Sequence, residues 1–233
     1  MLNKNLLKKL STGEIITQHI EIYQNKGEFP DKWTIEIENY RRGGPDHCFH
    51  PSGDCLVSDA ELYKRLAGED KSRTMAGLRR VFDCGHFWHG YYQNMLVDMG
   101  YAKPEDVEKS YKYEHPDGWT GRGTLDLIID VKNKGQFIVD MKTMNDIEFD
   151  DGPYPYTLAK WTAQVNCYMN WSGIRQAFIL AIRKGGTPGK SGRPAHDLRE
   201  ITIEYDQDLV DGIYEKWSRV WKMYQDGTPP EAS

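Results

Sequence analysis

No run of apolar residues in this sequence approaches the roughly 20 needed to cross a bilayer, and no charged-then-apolar leader opens it. The first thirteen residues carry lysines but no arginine and run straight into Glu14, so they read as the start of an amphipathic helix and not as a transit peptide. A cytoplasmic protein with no membrane partner is the expectation. Cysteine is scarce as well: Cys48, Cys55, Cys84 and Cys167 are irregularly spaced and form no CxxC pair. That argues against a disulfide framework and for thiols in a reducing compartment. Basic residues are not in excess either, with 30 Lys and Arg against 35 Asp and Glu and a net charge of −5. A protein that coats nucleic acid by bulk electrostatics is therefore disfavoured, whereas an enzyme that holds it in one groove is not. Internal repeats and low-complexity linkers are missing too. The simplest parse is one globular domain over 46–233 with a helical segment over 1–45 in front of it.

What is present is a change of pattern along the chain. Residues 4–25 carry a loose apolar face of helical period (Leu6, Leu7, Leu10, Ile15, Ile16, Ile20 and Ile22). A Gly-, Pro- and His-rich loop over 40–53 leads to helical patterns at about 58–67 and 75–99. Residues 110–115, 120–131 and 136–143 alternate and are rich in Ile, Leu, Val and Phe, so they read as strands. Asn133-Lys134-Gly135 is a hairpin turn between the last two. A helix at 157–171, a strand at 174–183, a polar loop at 184–196, a strand at 198–205 and a helix at 207–225 follow. Helices on both sides of a sheet, with a strand beyond a crossover helix, predict an α/β fold built on a central mixed β-sheet.

The hairpin carries the chemistry. With Lys132 facing Gln136, Asp126 falls opposite Lys142 and diagonal to Asp140, all on one face, because side chains repeat with period two. Leu125, Leu127, Ile129, Phe137, Val139 and Met141 then form the other, core face. Two clustered carboxylates repel unless a cation intervenes, and oxygen ligands of this kind suit Mg²⁺ or Mn²⁺. The same three residues also read as a cross-strand salt bridge on a solvated face, and the hairpin alone does not choose between the two. On the flanking helices, Gly85 and His89 stand one turn apart, as do Gln164 and Tyr168. His89 offers an imidazole nitrogen to a metal.

Taken together, GHFWH (85–89), GTLD (123–126), DMK (140–142) and QVNCY (164–168) follow the order GxxxH, GxxD, DxK, QxxxY. This order resembles the nuclease domain of the RecB-like exonucleases of the PD-(D/E)XK superfamily. That group includes phage recombination exonucleases and the nucleases of CRISPR spacer acquisition, and the resemblance covers about residues 45 to 183. It implies a restriction-endonuclease-like core and a DNA exonuclease serving recombination, replication or repair, in a bacterial cytoplasm or in the host cell of a phage. It also implies one or two Mg²⁺ or Mn²⁺ ions held by His89, Asp126, Asp140 and the main-chain carbonyl of Met141. Lys142 would be catalytic together with the two aspartates, Gln164 would sit near the reacting water, and Tyr168 near the DNA backbone. The chain departs from the pattern in having Leu125 where the family name has proline, and Asp140 where many relatives have glutamate.

Cys55 stands where iron–sulfur-bearing relatives have an upstream cysteine, but nothing matches their C-terminal cluster, so no iron–sulfur cluster is expected. The His47-Cys48-Phe49-His50…Cys55 segment fits no common zinc spacing and ranks below a simple loop. Among basic residues, Arg122 and Lys184 are the first choices for phosphate contact, ahead of Arg79, Arg80, Lys160, Arg183, Lys190 and Arg193. Trp88, Trp119 and Trp161 read as core, with Trp119 also a candidate for stacking on an unpaired base. Asp146, Glu148, Asp150 and Asp151 read as a solvated loop. The expected partner is DNA with free ends, together with a recombination or replication protein. Two rival readings are a structure-specific or flap endonuclease on the same core, and an inactive nucleic-acid-binding or inhibitor protein that has kept the fold.

Overall fold

The computed structural model describes residues 47–69, 76–184 and 198–230, with the backbone alone at 76–84. The expected helix at 4–25, the division at residue 45 and nearly all of the 184–196 loop lie outside these residues. Among the described residues, three helices precede the sheet: α1 (Pro51–Asp54), α2 (Asp59–Leu66) and the long α3 (Ala76–Asp98). A 3-10 turn (Pro104–Asp106) leads into β1 (Val107–Glu114), β2 (Thr120–Val131) and β3 (Gly135–Met144). Helices α4 (Asp146–Asp151) and α5 (Pro155–Ser172) precede β4 (Ala177–Arg183), β5 (Leu198–Ile203) and α6 (Gln207–Gln225). No described helix is long and apolar enough to cross a membrane.

The five strands form one sheet in the order β1-β2-β3-β4-β5, antiparallel except for the parallel pair β3–β4. The fold is thus α/β with a mixed sheet. A parallel pair needs a crossover, and α4 and α5 supply it. Within the described residues the predicted elements appear, with ends displaced by a few residues. The acid run over 146–151 differs: it is helix α4, started by Asn145, whose Oδ1 accepts the Glu148 N–H at 2.9 Å. Its Asp146 and Asp150 grip the Arg183 guanidinium, which also lies over the Phe149 ring. Arg183 is thereby tied to α4 by exposed ion pairs.

Both faces of the sheet are buried, not one. Helix α3 brings Tyr92, Met95 and Leu96 onto Leu127, Ile129, Phe137, Val139 and Met141. Helix α5 brings Val165, Tyr168 and Met169 onto Leu125, Ile128, Ile138 and Ile179. Leu125 therefore packs on the opposite side from Leu127, although the two are separated by one residue. In β1, likewise, Val107 packs on the α3 side and Tyr111 on the α5 side. The two strands turn over together at Glu108 and Asp126, and Glu108 takes the left-handed conformation, φ 48°. A third cluster joins α6 to the rest through Trp217, which stacks on Phe49 at 4.9 Å, and through Trp119, wholly buried beneath both. Burial of this kind contributes roughly 1.5–3 kcal/mol per large apolar side chain. It also removes Trp119 from any role in stacking on a base.

The β2–β3 hairpin turns one residue earlier than the sequence predicts, with a loop of the same length. Val131 pairs with Gly135 and Asp130 with Gln136, so the three-residue turn is Lys132–Lys134, with positive φ at Asn133 and Gly135. The register is two residues away from the predicted one. A shift of two preserves which face each side chain occupies, so only the partners change. By extension Asp126 falls level with Asp140, and Lys142 is the diagonal neighbour.

Candidate active site

The β2–β3 pairing stops at Leu127↔Val139. Beyond it, β3 continues beside β4 to Met144, while Phe49 takes the Thr120 carbonyl and the Arg122 N–H on the edge of β2 that β3 has left. The two strands thus open like a fork, and Asp126 stands at its crotch. In place of a ladder bond, the Asp126 Oδ2 accepts the Met141 N–H at 2.7 Å. The N–H and C=O of one strand residue point to the same edge, so the Met141 carbonyl is also aimed into the fork.

Asp140 enters from β3 and is 2% exposed. Its Oδ2 lies 2.6 Å from Lys142 Nζ, and its Oδ1 accepts from Gln164 Nε2 of α5 at 3.2 Å. Helix α3 presents His89, whose Nδ1 is 3.7 Å from Asp126 Oδ2. Five of the residues singled out in the sequence (His89, Asp126, Asp140, Lys142 and Gln164) therefore meet in one place.

Tyr168 is in the interior, only 2% exposed, so it does not line a surface that DNA could reach. Its ring lies on Gly123, where an added Cβ would meet the tyrosine at 2.7 Å. The glycine of GTLD and the tyrosine of QVNCY are thus two halves of one contact, which lets α5 settle close to β2. Gly85 has a weaker reason: a Cβ there would be in ordinary contact with Thr143 at 3.6 Å. Arg122 is exposed on β2, about 13 Å along the strand from Asp126 at roughly 3.3 Å per residue. Lys184 is half-buried just past β4, with its N–H on the Met144 carbonyl at 2.8 Å.

Two residues that the sequence reading passed over complete the group. Glu108, from β1, offers a carboxylate oxygen that lies within 4.8 Å of ligand atoms of His89 and Asp126. Gln93, one turn beyond His89 on α3, is 4% exposed, and its amide nitrogen donates to Glu108 Oε1 at 2.6 Å and to the Asp126 carbonyl at 2.9 Å. The spacing Gly85, His89, Gln93 continues the four-residue step of the motif, which is the signal that would have found Gln93.

The charges are held at a cost. Burial raises the Asp140 carboxyl, and Asp126 adds to this; Lys142 pulls the other way but leaves it at about 6. Asp126 is raised by burial as well. Glu108, although much of its side chain is exposed, has its carboxyl turned inward, and burial and the Asp126 charge push it to about 7. His89 is lowered to about 4 by burial and by the Lys142 charge, so it is a neutral imidazole. Burial alone would lower Lys142, but Asp140 and Asp126 outweigh it and raise it, so it stays an ammonium ion. Carboxylates that one lysine cannot neutralise, beside a neutral imidazole, form a donor set that fits a divalent cation.

The linkage has a testable sign. A carboxyl raised above its unfolded value binds its proton more tightly in the folded state. Its contribution to stability is complete below the unfolded pKa and is lost as pH rises through the folded one. His89, depressed, works against this between about pH 4 and 6.5, but three raised carboxyls outnumber it. In EDTA, wild-type protein is expected to lose thermal stability relative to Glu108→Gln as pH climbs from roughly 4.5 to 7, with no further divergence above that. A difference in Tm that stays constant with pH, measured by circular dichroism, would show that Glu108 is not held in this environment.

No protein-family model matches the chain, and no curated protein matches it either. Solved structures do share its fold. LHK-Exo in complex with dAMP is 14% identical, with 78% of this chain and 89% of that one covered and a TM-score of 0.52. SSO0001 is 13% identical, with 80% of each chain covered and a TM-score of 0.50. A second structure of LHK-Exo, an alkaline exonuclease from Laribacter hongkongensis, aligns at 13% identity and a TM-score of 0.47.

Proposed function

We propose that this chain is a divalent-metal-dependent deoxyribonuclease of the RecB-like PD-(D/E)XK type that degrades DNA from free ends. The observation that carries the reading is the fork: Asp126 and Asp140 converge there with His89 and Lys142, at a site of charge that the protein alone does not neutralise. Support comes from the shared fold with LHK-Exo, whose crystals contain dAMP, and from the four-motif order in the sequence.

In this reading His89, Asp126, Asp140 and the Met141 carbonyl hold Mg²⁺ or Mn²⁺, since an oxygen-rich donor set with one imidazole suits these ions better than softer metals. A cation bound there supplies Lewis acidity toward a phosphodiester and acidifies water. The chain's own residues do the rest. Neutral His89 presents a lone pair without first giving up a proton. Lys142, kept charged by the two aspartates, neutralises negative charge that grows on the phosphate. Gln164 fixes the rotation of the Asp140 carboxylate, and Tyr168 sets the distance of α5 from β2. Arg122 and Lys184 contact DNA phosphates away from the reacting bond.

The test uses end-labelled linear duplex, single strands and covalently closed circles, each with Mg²⁺, Mn²⁺ or EDTA. Linear DNA is expected to be degraded only with metal while circles persist. Efficient cutting of relaxed circles would establish the endonuclease reading instead, and binding of DNA without any cleavage would establish the inactive binder.

A further inference from the structure

Glu108 and Gln93 pose a problem that the four motifs do not address. A non-glycine residue in the left-handed region is strained, and such strain persists only where its surroundings enforce it. Val107↔Leu127 and Lys109↔Leu125 pair normally on either side, so the distortion is confined to the level of Glu108 and Asp126. It lies where both strands turn over, and it swings the Glu108 carboxyl toward α3 and the fork. There it meets the amide of Gln93, a polar group almost fully buried in the α3 face that otherwise carries Tyr92, Met95 and Leu96. Burying an amide in such a face is costly unless it is hydrogen-bonded. Here its nitrogen donates twice to the site, once to the Glu108 side chain and once to the main chain of Asp126.

We propose that Gln93 is a positioning residue: it holds the Glu108 carboxylate beside His89 and Asp126, so that Glu108 becomes a further ligand of the catalytic cation. The inference rests on the metal-dependent reading above. It gives the strained backbone of β1 and the buried amide of α3 one common purpose. It also assigns an element to each ligand: α3 brings the imidazole, β1 and β2 each bring one carboxylate, and β3 brings the other with the carbonyl. Gln93 ties the first three together through hydrogen bonds alone.

The test measures Mn²⁺ binding to the full chain by calorimetry, with thermal stability in EDTA recorded alongside. Gln93→Met keeps length and burial but removes both donors, and is expected to weaken Mn²⁺ about tenfold or more, the usual effect of losing a group that orients a ligand. Glu108→Gln is expected to weaken it at least as much. In the double variant the loss should equal that of Glu108→Gln alone, because Gln93 then has no carboxylate to place. Additive losses, or a Gln93→Met protein that binds Mn²⁺ like wild type, would overturn the proposal. Glu108→Ala, at the exposed end of the pair, leaves the α3 face intact and covers the case in which Gln93→Met does not fold; wild-type Mn²⁺ affinity in that variant would also overturn it. Wild-type protein that binds Mn²⁺ and cleaves DNA, beside variants that do so equally well, removes only this inference. Wild-type protein that binds no divalent metal removes the underlying reading with it.

Discussion

Replacing Asp140 by asparagine is expected to lower Mn²⁺ affinity by ~100-fold or more and to reduce DNA cleavage by about 10²–10³-fold or beyond, without destabilising the metal-free protein. The shape of the side chain is kept, and its Oδ1 can still accept from Gln164. What disappears is a buried negative charge. The direction of the Asp140 shift gives a second, independent readout. Its carboxyl is raised by burial in spite of the ammonium group at 2.6 Å, so the folded protein prefers it neutral. At about pH 8 in EDTA, Asp140→Asn should therefore melt on the order of a few degrees above wild type. An ordinary structural salt bridge predicts the opposite sign, because breaking a buried pair leaves an uncompensated charge. Calorimetric metal titration, cleavage of linear DNA and melting in EDTA decide between the two. An active Asp140→Asn enzyme with normal Mn²⁺ affinity would remove the ground for the whole site assignment.

Lys142→Ala should separate binding from chemistry. Both carboxylates remain, and the cation that competes for them is gone, so Mn²⁺ affinity is expected to stay at the wild-type level or rise. Turnover should nonetheless fall by about 10²–10³-fold, the loss typical of removing one well-placed electrostatic group at a reacting centre. DNA affinity should change little, since the phosphate contacts proposed for Arg122 and Lys184 lie elsewhere. The stability effect should have the reverse sign from that of Asp140→Asn. Without Lys142, Asp140 and Asp126 are buried with no counter-charge, so the EDTA-treated variant should melt lower at about pH 8 and recover when Mn²⁺ is added. The salt-bridge alternative has both substitutions destabilising alike and neither rescued by metal. Weakened Mn²⁺ binding in Lys142→Ala would place the lysine in the structural support of the site rather than in its chemistry.

Much of this was legible in the amino-acid sequence because it depends on parity and local spacing. Alternation over 120–131 and 136–143 marked both strands of the hairpin. A two-residue error in register left Asp126, Asp140 and Lys142 together, since a slip of two returns every side chain to its own face. Helical steps of four brought His89 and Gln164 to the site by the same kind of local rule. Long-range geometry decided the rest. The turn at Lys132–Lys134 depends on whether Gly135, with its positive φ, belongs to the loop or to the first pair, and sequence allows both. The burial of Tyr168 and Trp119 follows from α5 and α6 closing over the sheet, which no periodicity within one element reports. Glu108 was out of reach for the same reason. Its membership in the group depends on two strands turning over together at Asp126, on a strained residue outside any motif, and on an amide from a helix that precedes it in the chain. Sequence determined which residues share a face wherever a strand keeps its period, as for Asp140 and Lys142, but not the turn-over at Asp126 that sends Leu125 to the α5 side. Only the tertiary structure decided where the strands part, and the fork they leave is what gathers the charges into a site.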